Sequence, residues 1–163
     1  HNYVDAKDMS HEWRGYVGVY KSGAKAGESK PIRSHCENGL CLLTTCLTGE
    51  PEENRIIFAA FLMNRLQTDD FQGSAYVEAK DLYKLPLTIE KAIHMPFWRY
   101  FESKPRSKGY QWGIGLNRYI DYPIAQRILQ DLASLKEHTT YEKIANNMLS
   151  FYQAIHSQKM ITK

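Results

Sequence analysis

Cys36-Glu37-Asn38-Gly39-Leu40-Cys41 places an Asn-Gly pair between two cysteines. Both central residues tolerate the positive φ that a two-residue type I′ turn demands, so the stretch predicts a tight β-hairpin. In that register Glu37 faces Leu40, and Cys36 faces Cys41 one pair further out. The outer pair is the non-hydrogen-bonded kind, with Cα atoms about 4.5 Å apart, which a disulfide can span. The expectation is a Cys36–Cys41 bridge with Cys46 left over, and therefore an oxidising compartment, secreted or periplasmic. The alternative is three reduced cysteines in a cytoplasmic protein, because free Cys is a common core residue.

Working outward, Trp13 to Tyr20 alternates around β-branched and aromatic residues and reads as a strand. Lys21 to Lys30 is small and polar, a loop. Pro31 to Glu37 and Leu40 to Thr48 are the hairpin arms, so residues 13–48 are expected to form a three-stranded antiparallel meander. After Gly49 the pattern changes. Pro51-Glu52-Glu53 suits a helix start. Ile56, Phe58, Ala59, Phe61, Leu62, Met63 and Leu66 then predict a central helix. Ala75 to Leu85 fits strand and helix alike, and Thr88 caps a short helix running to Met95.

Two further helices follow. Asp121 is a fitting N-cap with Pro123 in the first turn, and Ile124, Ile128, Leu129, Leu132 and Leu135 recur at helical spacing. Thr139 and Glu142 make a capping box for the last helix. The short link from Glu137 to Thr140 makes these two helices an antiparallel αα-hairpin. A strand-rich part (13–48) followed by a helix-rich part (51–160), without β-α alternation, predicts one α+β domain over residues 1–163.

Composition narrows the function classes. With 43% hydrophobic and 24% charged residues, the chain has the make-up of a folded globular protein and not of a disordered one. The longest apolar run, Ile56 to Met63, is too short to cross a bilayer, so no membrane span is expected. A start at His1 instead of Met reads as a processed chain. A net charge of +3 is weak for a dedicated nucleic-acid binder.

Three constellations could carry chemistry. His35, Cys36, Cys41 and Cys46 invite a zinc site, but alternation along strands turns His35 and Cys36 to opposite faces, so no metal or cofactor is expected. Asp70 followed by Glu78-Ala79-Lys80 looks like the D…E-x-K signature of restriction-endonuclease-like nucleases. That resemblance implies two carboxylates holding Mg²⁺ and a lysine assisting the attack. Yet E-x-K occurs three times in this sequence, at 28–30, 78–80 and 102–104, so the motif is cheap. The third constellation is Phe97 to Tyr119. There Arg99, Lys104, Arg106, Lys108 and Arg118 face one acid, Glu102, for a local charge of +4 among seven aromatic rings. Such a mixture suits stacking on single-stranded bases or the hot spots of a protein interface.

The C-x4-C hairpin resembles the disulfide-closed loop of bacterial periplasmic inhibitors of vertebrate lysozyme, over those six residues. What the resemblance implies is a rigid loop that docks at little entropic cost. The expected function is therefore a non-catalytic, exported protein-binding domain: an inhibitor, an immunity-type partner or an envelope accessory factor. Its expected contacts are the hairpin tip (Glu37, Asn38) and the basic-aromatic segment (Trp98, Arg99, Arg106, Lys108, Trp112). The alternatives are a Mg²⁺-dependent nuclease using Asp70, Glu78 and Lys80, and a non-catalytic nucleic-acid-binding module.

Overall fold

The apolar run from Ile56 to Met63 is the centre of the protein, and it is a strand instead of the expected helix. In the computed structural model, strand β3 spans Ile56–Thr68. The structure describes residues 11–16, 20, 22–28, 37–68, 75–101, 109–112 and 118–161. A continuous apolar run belongs equally to a buried helix and to a strand covered on both faces, and periodicity alone does not separate them. Here the run is covered on both faces: Ile57, Ala59, Ala60, Phe61 and Leu62 are all fully buried. The ambiguous segment resolves the same way, as strand β4 over Ala75–Pro86.

With β1 (Arg14–Tyr16) and β2 (Leu40–Thr45), the described residues form one four-stranded antiparallel sheet in the order β1-β4-β3-β2. The protein is thus α+β, but its sheet is no N-terminal meander. Two of its four strands lie in the part of the chain expected to be helical. Leu40 pairs with Leu62 and Cys41 with Phe61, so β2 finds its ladder on β3. The other expected hairpin arm, residues 31–36, lies outside the described residues. The tip itself is not a type I′ turn: Asn38 has φ 69°, but Gly39 has no positive φ. Instead Asn38 and Gly39 meet β3, Asn38 N–H donating to Met63 O at 2.9 Å and Met63 N–H to Gly39 O at 2.8 Å.

Three register breaks bend the sheet and exchange its faces. Between Leu43↔Ala59 and Thr44↔Ile57, β3 carries Phe58 as an extra residue. Between Met63↔Ala79 and Leu66↔Val77, β3 carries Asn64 and Arg65 opposite Glu78 alone. Between Phe61↔Lys84 and Met63↔Ala79, β4 carries Lys80 to Tyr83 opposite Leu62 alone. An odd excess of residues flips every following side chain to the other face. So Val77 and Ala79 join one cluster, with Leu43, Ala59 and Phe61, whereas Leu85 joins Ile57, Ala60 and Leu62 on the opposite side. Bulges also raise local twist and curl the strands.

Three helices complete the described fold: α1 (Ile89–Ala92), α2 (Tyr122–Lys136) and α3 (Glu142–Ile161). Asp121 caps α2 as its chemistry dictates, accepting the Ile124 N–H at 3.0 Å, with Pro123 in the first turn. The expected capping box is displaced by one residue. Thr139 Oγ1 takes the Tyr141 N–H at 3.3 Å, and the Glu142 carboxylate takes the His138 N–H at 2.7 Å. Ile128, Leu129 and Leu132 of α2, with Ala145, Met148 and Tyr152 of α3, bury themselves in one cluster with Ile57, Ala60, Leu62 and Leu85. The helices therefore cover one face of the sheet. Trp13, Cys41, Phe58 and Met63 pack into the smaller cluster on the other. Among the described residues, no helix is long and apolar enough to cross a membrane.

Candidate functional site

Beyond the end of β4 the chain leaves the sheet through α1 and returns beside the start of β3. Ile57 N–H donates to Met95 O at 3.0 Å and Phe97 N–H to Arg55 O at 2.7 Å. This return delivers the 3-10 turn Phe97–Tyr100 to the corner where β3 begins. Pro96 sets its entry, since it neither needs nor can make a donor bond there.

The corner is a cluster of rings. Phe97 contacts Trp98, Phe101 and Trp112 with centroids 5.1, 4.9 and 5.3 Å away. Tyr110 stacks on Trp98 at 5.0 Å and 26°. Two arginines lie on these rings, Arg55 at 4.3 Å from the Trp112 centroid and Arg118 at 4.8 Å from that of Trp98 and 5.2 Å from that of Phe101. Trp98 and Tyr100 are buried, at 5% and 2% exposure, whereas Tyr119 beside Arg118 is 53% exposed.

The cations here fall into two groups. Arg55 is consumed internally, with Nε on Glu52 Oε1 at 2.5 Å, Nη2 on Oε2 at 2.9 Å and Nη1 on Thr44 Oγ1 at 3.3 Å. Arg99 is consumed too: it pairs with Asp131, donates to His94 O at 3.0 Å and lies over the Tyr100 ring. Tyr100 donates to the same Asp131 oxygen at 2.8 Å, and burial, followed by that carboxylate, holds its hydroxyl above the usual tyrosine range. Arg118 is different. It is exposed, and among the described residues no carboxylate pairs with it.

The expected contact residues therefore separate. Trp98 is core, corrected from a surface contact. Its indole does a structural job because a large ring gains most when fully buried. Trp112 is half-buried under Arg55, and Arg99 is on the surface but paired. Arg106 and Lys108 lie outside the described residues. Glu37 is exposed at the tip and pairs with Lys80 at 3.3 Å, while Asn38 turns its Oδ1 inward, buried with no partner among the described residues. The tip and the ring corner do not adjoin. They sit at opposite ends of the β2–β3 ladder, six residues and about 20 Å apart at about 3.3 Å per residue.

The nuclease residues divide likewise. Glu78 is held by Arg14 at 3.3 Å and Lys80 by Glu37, and Asp70 lies outside the described residues. Among the described residues, no group of three or more His, Cys, Asp or Glu is placed to hold a metal ion.

Cys41 is a free thiol, so the expected bridge to Cys36 is not made; Cys36 itself lies outside the described residues. Pairing with Phe61 sends the Cys41 sulfur into the smaller core instead of toward a hairpin partner. Burial there pushes its pKa up to about 12. Cys46 is also free and donates to Glu50 O and Pro51 O at 3.4 and 3.2 Å.

Sequence reasoning counted Arg118 among the cations but did not single it out, and it passed over Arg55. Glu52 three residues before Arg55 signals the ion pair, but nothing local signals that Trp112 would cover it. Comparison with protein-family models, with curated proteins and with solved structures finds no match for this chain.

Proposed function

We propose that this chain is a non-catalytic protein-binding module whose contact surface is the ring-and-arginine corner around Trp98. The observation that carries this reading is Arg118, exposed and lying over Trp98 and Phe101 beside the exposed Tyr119. Arg, Tyr and Trp are the residues that dominate binding energy at protein interfaces. A ring layer beneath an arginine restricts its motion before a partner arrives, which lowers the entropic cost of docking.

The same burial argues against a nucleic-acid platform. Stacking on bases needs exposed aromatic faces, and Phe97, Trp98 and Tyr100 are all buried. With Cys41 a free thiol, a bridged wedge at residues 36–41 no longer serves as the mode of action, and the sulfur chemistry no longer calls for an oxidising compartment.

The test is selection of a random peptide phage library on the immobilised protein. Enriched peptides should be competed off by soluble wild-type protein and not by Tyr119→Ala or Arg118→Ala. Equal competition by wild type and both variants, or tighter binding to a single-stranded oligonucleotide than to any peptide, would remove this reading.

A further inference from the structure

Resting on the reading that the Trp98 corner is a contact surface, we infer that its partner is an acidic peptide segment that seats one carboxylate on the Arg118 guanidinium. Among the described arginines, Arg118 and Arg127 hold no carboxylate of the described residues, and of these two only Arg118 lies over ring faces there. Arg14, Arg55 and Arg99 each already hold a carboxylate of this chain: Glu78, Glu52 and Asp131. Arg118 holds none among the described residues, and its contacts there are ring faces.

Ring faces take up none of a guanidinium's conventional hydrogen bonds, so Arg118 keeps N–H groups for an acceptor. A planar carboxylate matches that fork with two parallel hydrogen bonds. A lysine at this position would supply charge but neither the fork nor the flat face. A single fork with no carboxylate on it among the described residues fits one side-chain carboxylate better than a nucleic-acid backbone, which calls for a row of cations along successive phosphates. Tyr119, 53% exposed next in sequence, supplies apolar area beside the charge. This combination of ring and arginine favours a peptide over a free anion.

The probe is a fluorescein-labelled polyglutamate peptide, read by anisotropy at low salt. Wild-type protein should bind it, and Arg118→Ala should weaken binding by about tenfold or more, as expected for a central charged contact. Arg118→Lys should lose nearly as much, because it keeps the charge but not the fork. Arg127→Ala, on an exposed arginine of α2, should bind like wild type and so controls for net charge. The inference is overturned if Arg118→Ala binds the peptide unchanged, if Arg118→Lys restores full affinity, or if an oligonucleotide of equal charge binds more tightly through the same arginine. Should the phage selection return neutral or basic peptides that still depend on Tyr119 and Arg118, the contact surface stands and the acidic assignment falls.

Discussion

The indole N–H of Trp98 donates to the backbone carbonyl of Glu52 at 2.8 Å, joining two turns 46 residues apart in sequence. That bond fixes the ring layer against the start of β3, directly beside the residue pair that locks Arg55. Trp98→Phe keeps most of the apolar area and loses the bond, so it should cost about 1–2 kcal/mol in denaturant unfolding. Trp98→Ala should cost about 3–5 kcal/mol, as for other buried aromatics. A Trp98→Ala protein as stable as wild type would show that this ring is a surface contact after all.

Cys41 and Cys46 should differ sharply in reactivity. Alkylation of the native protein at mildly alkaline pH, followed by peptide mapping, should label Cys46 and spare Cys41, whose thiol is buried and raised to about 12. Cys46 is also shifted upward, by burial and then by Glu52, but it remains partly exposed. Since the folded value of Cys41 lies above its ordinary 9.0, its contribution to stability is complete below about pH 9 and declines as pH climbs toward 12. Cys41→Ala should abolish that part of the alkaline decline. Fast labelling of Cys41 in the native state would contradict the placement of β2.

Gly15 is confined by the same sulfur. A Cβ at this position would meet Val77 Cγ2 at 3.1 Å and Cys41 Sγ at 3.2 Å. Gly15→Val should therefore destabilise the protein by about 1–3 kcal/mol through overpacking. Adding Cys41→Ala should recover part of the loss, and thermal melts of the four proteins in the cycle measure it. Strictly additive effects would mean that the two positions do not touch.

Lys136 provides the opposite pH signature. It is only 4% exposed, donates its Nζ to Pro86 O and lies 4.7 Å from the Tyr141 ring centroid. Burial, and then the neighbouring Lys91, lower its pKa below the ordinary 10.5. A lowered lysine value means the folded protein bears a cost while the group is charged. The cost is relieved as pH rises from the lowered value to 10.5. In a Cys41→Ala background, stability should thus rise across that window, and Lys136→Met should flatten the rise. An identical pH profile in both proteins would count against a buried, charged Lys136.

What was legible in the sequence follows from how local each signal is. The cap of α2 by Asp121 involves residues three apart, and it forms as its chemistry requires. The overall α+β class was legible for the same reason, since α2 and α3 carry strong helical periodicity. β3 was misread because its apolar run has no polar face, so neither period shows. The bulges at Phe58 and at Lys80–Tyr83 depend on which strand lies alongside, which no local pattern encodes. The turn at Asn38 was read correctly as a positive-φ site, but its pairing with Met63 of β3 has no local signal, and the expected arm at 31–36 lies outside the described residues. Arg118 drew no attention because its meaning lies in long-range contacts: the acids that hold Arg14 and Arg99 are remote in sequence, and only the fold sets Arg118 over Trp98 and Phe101.

The contact surface itself is best tested by amide hydrogen exchange of the protein with and without a saturating, phage-selected peptide. The account predicts new protection at residues 97–101 and 118–120, with residues 37–39 and 80–83 unchanged. Protection confined to 37–39 and 80–83 would place the working surface at the far end of the β2–β3 ladder and contradict it.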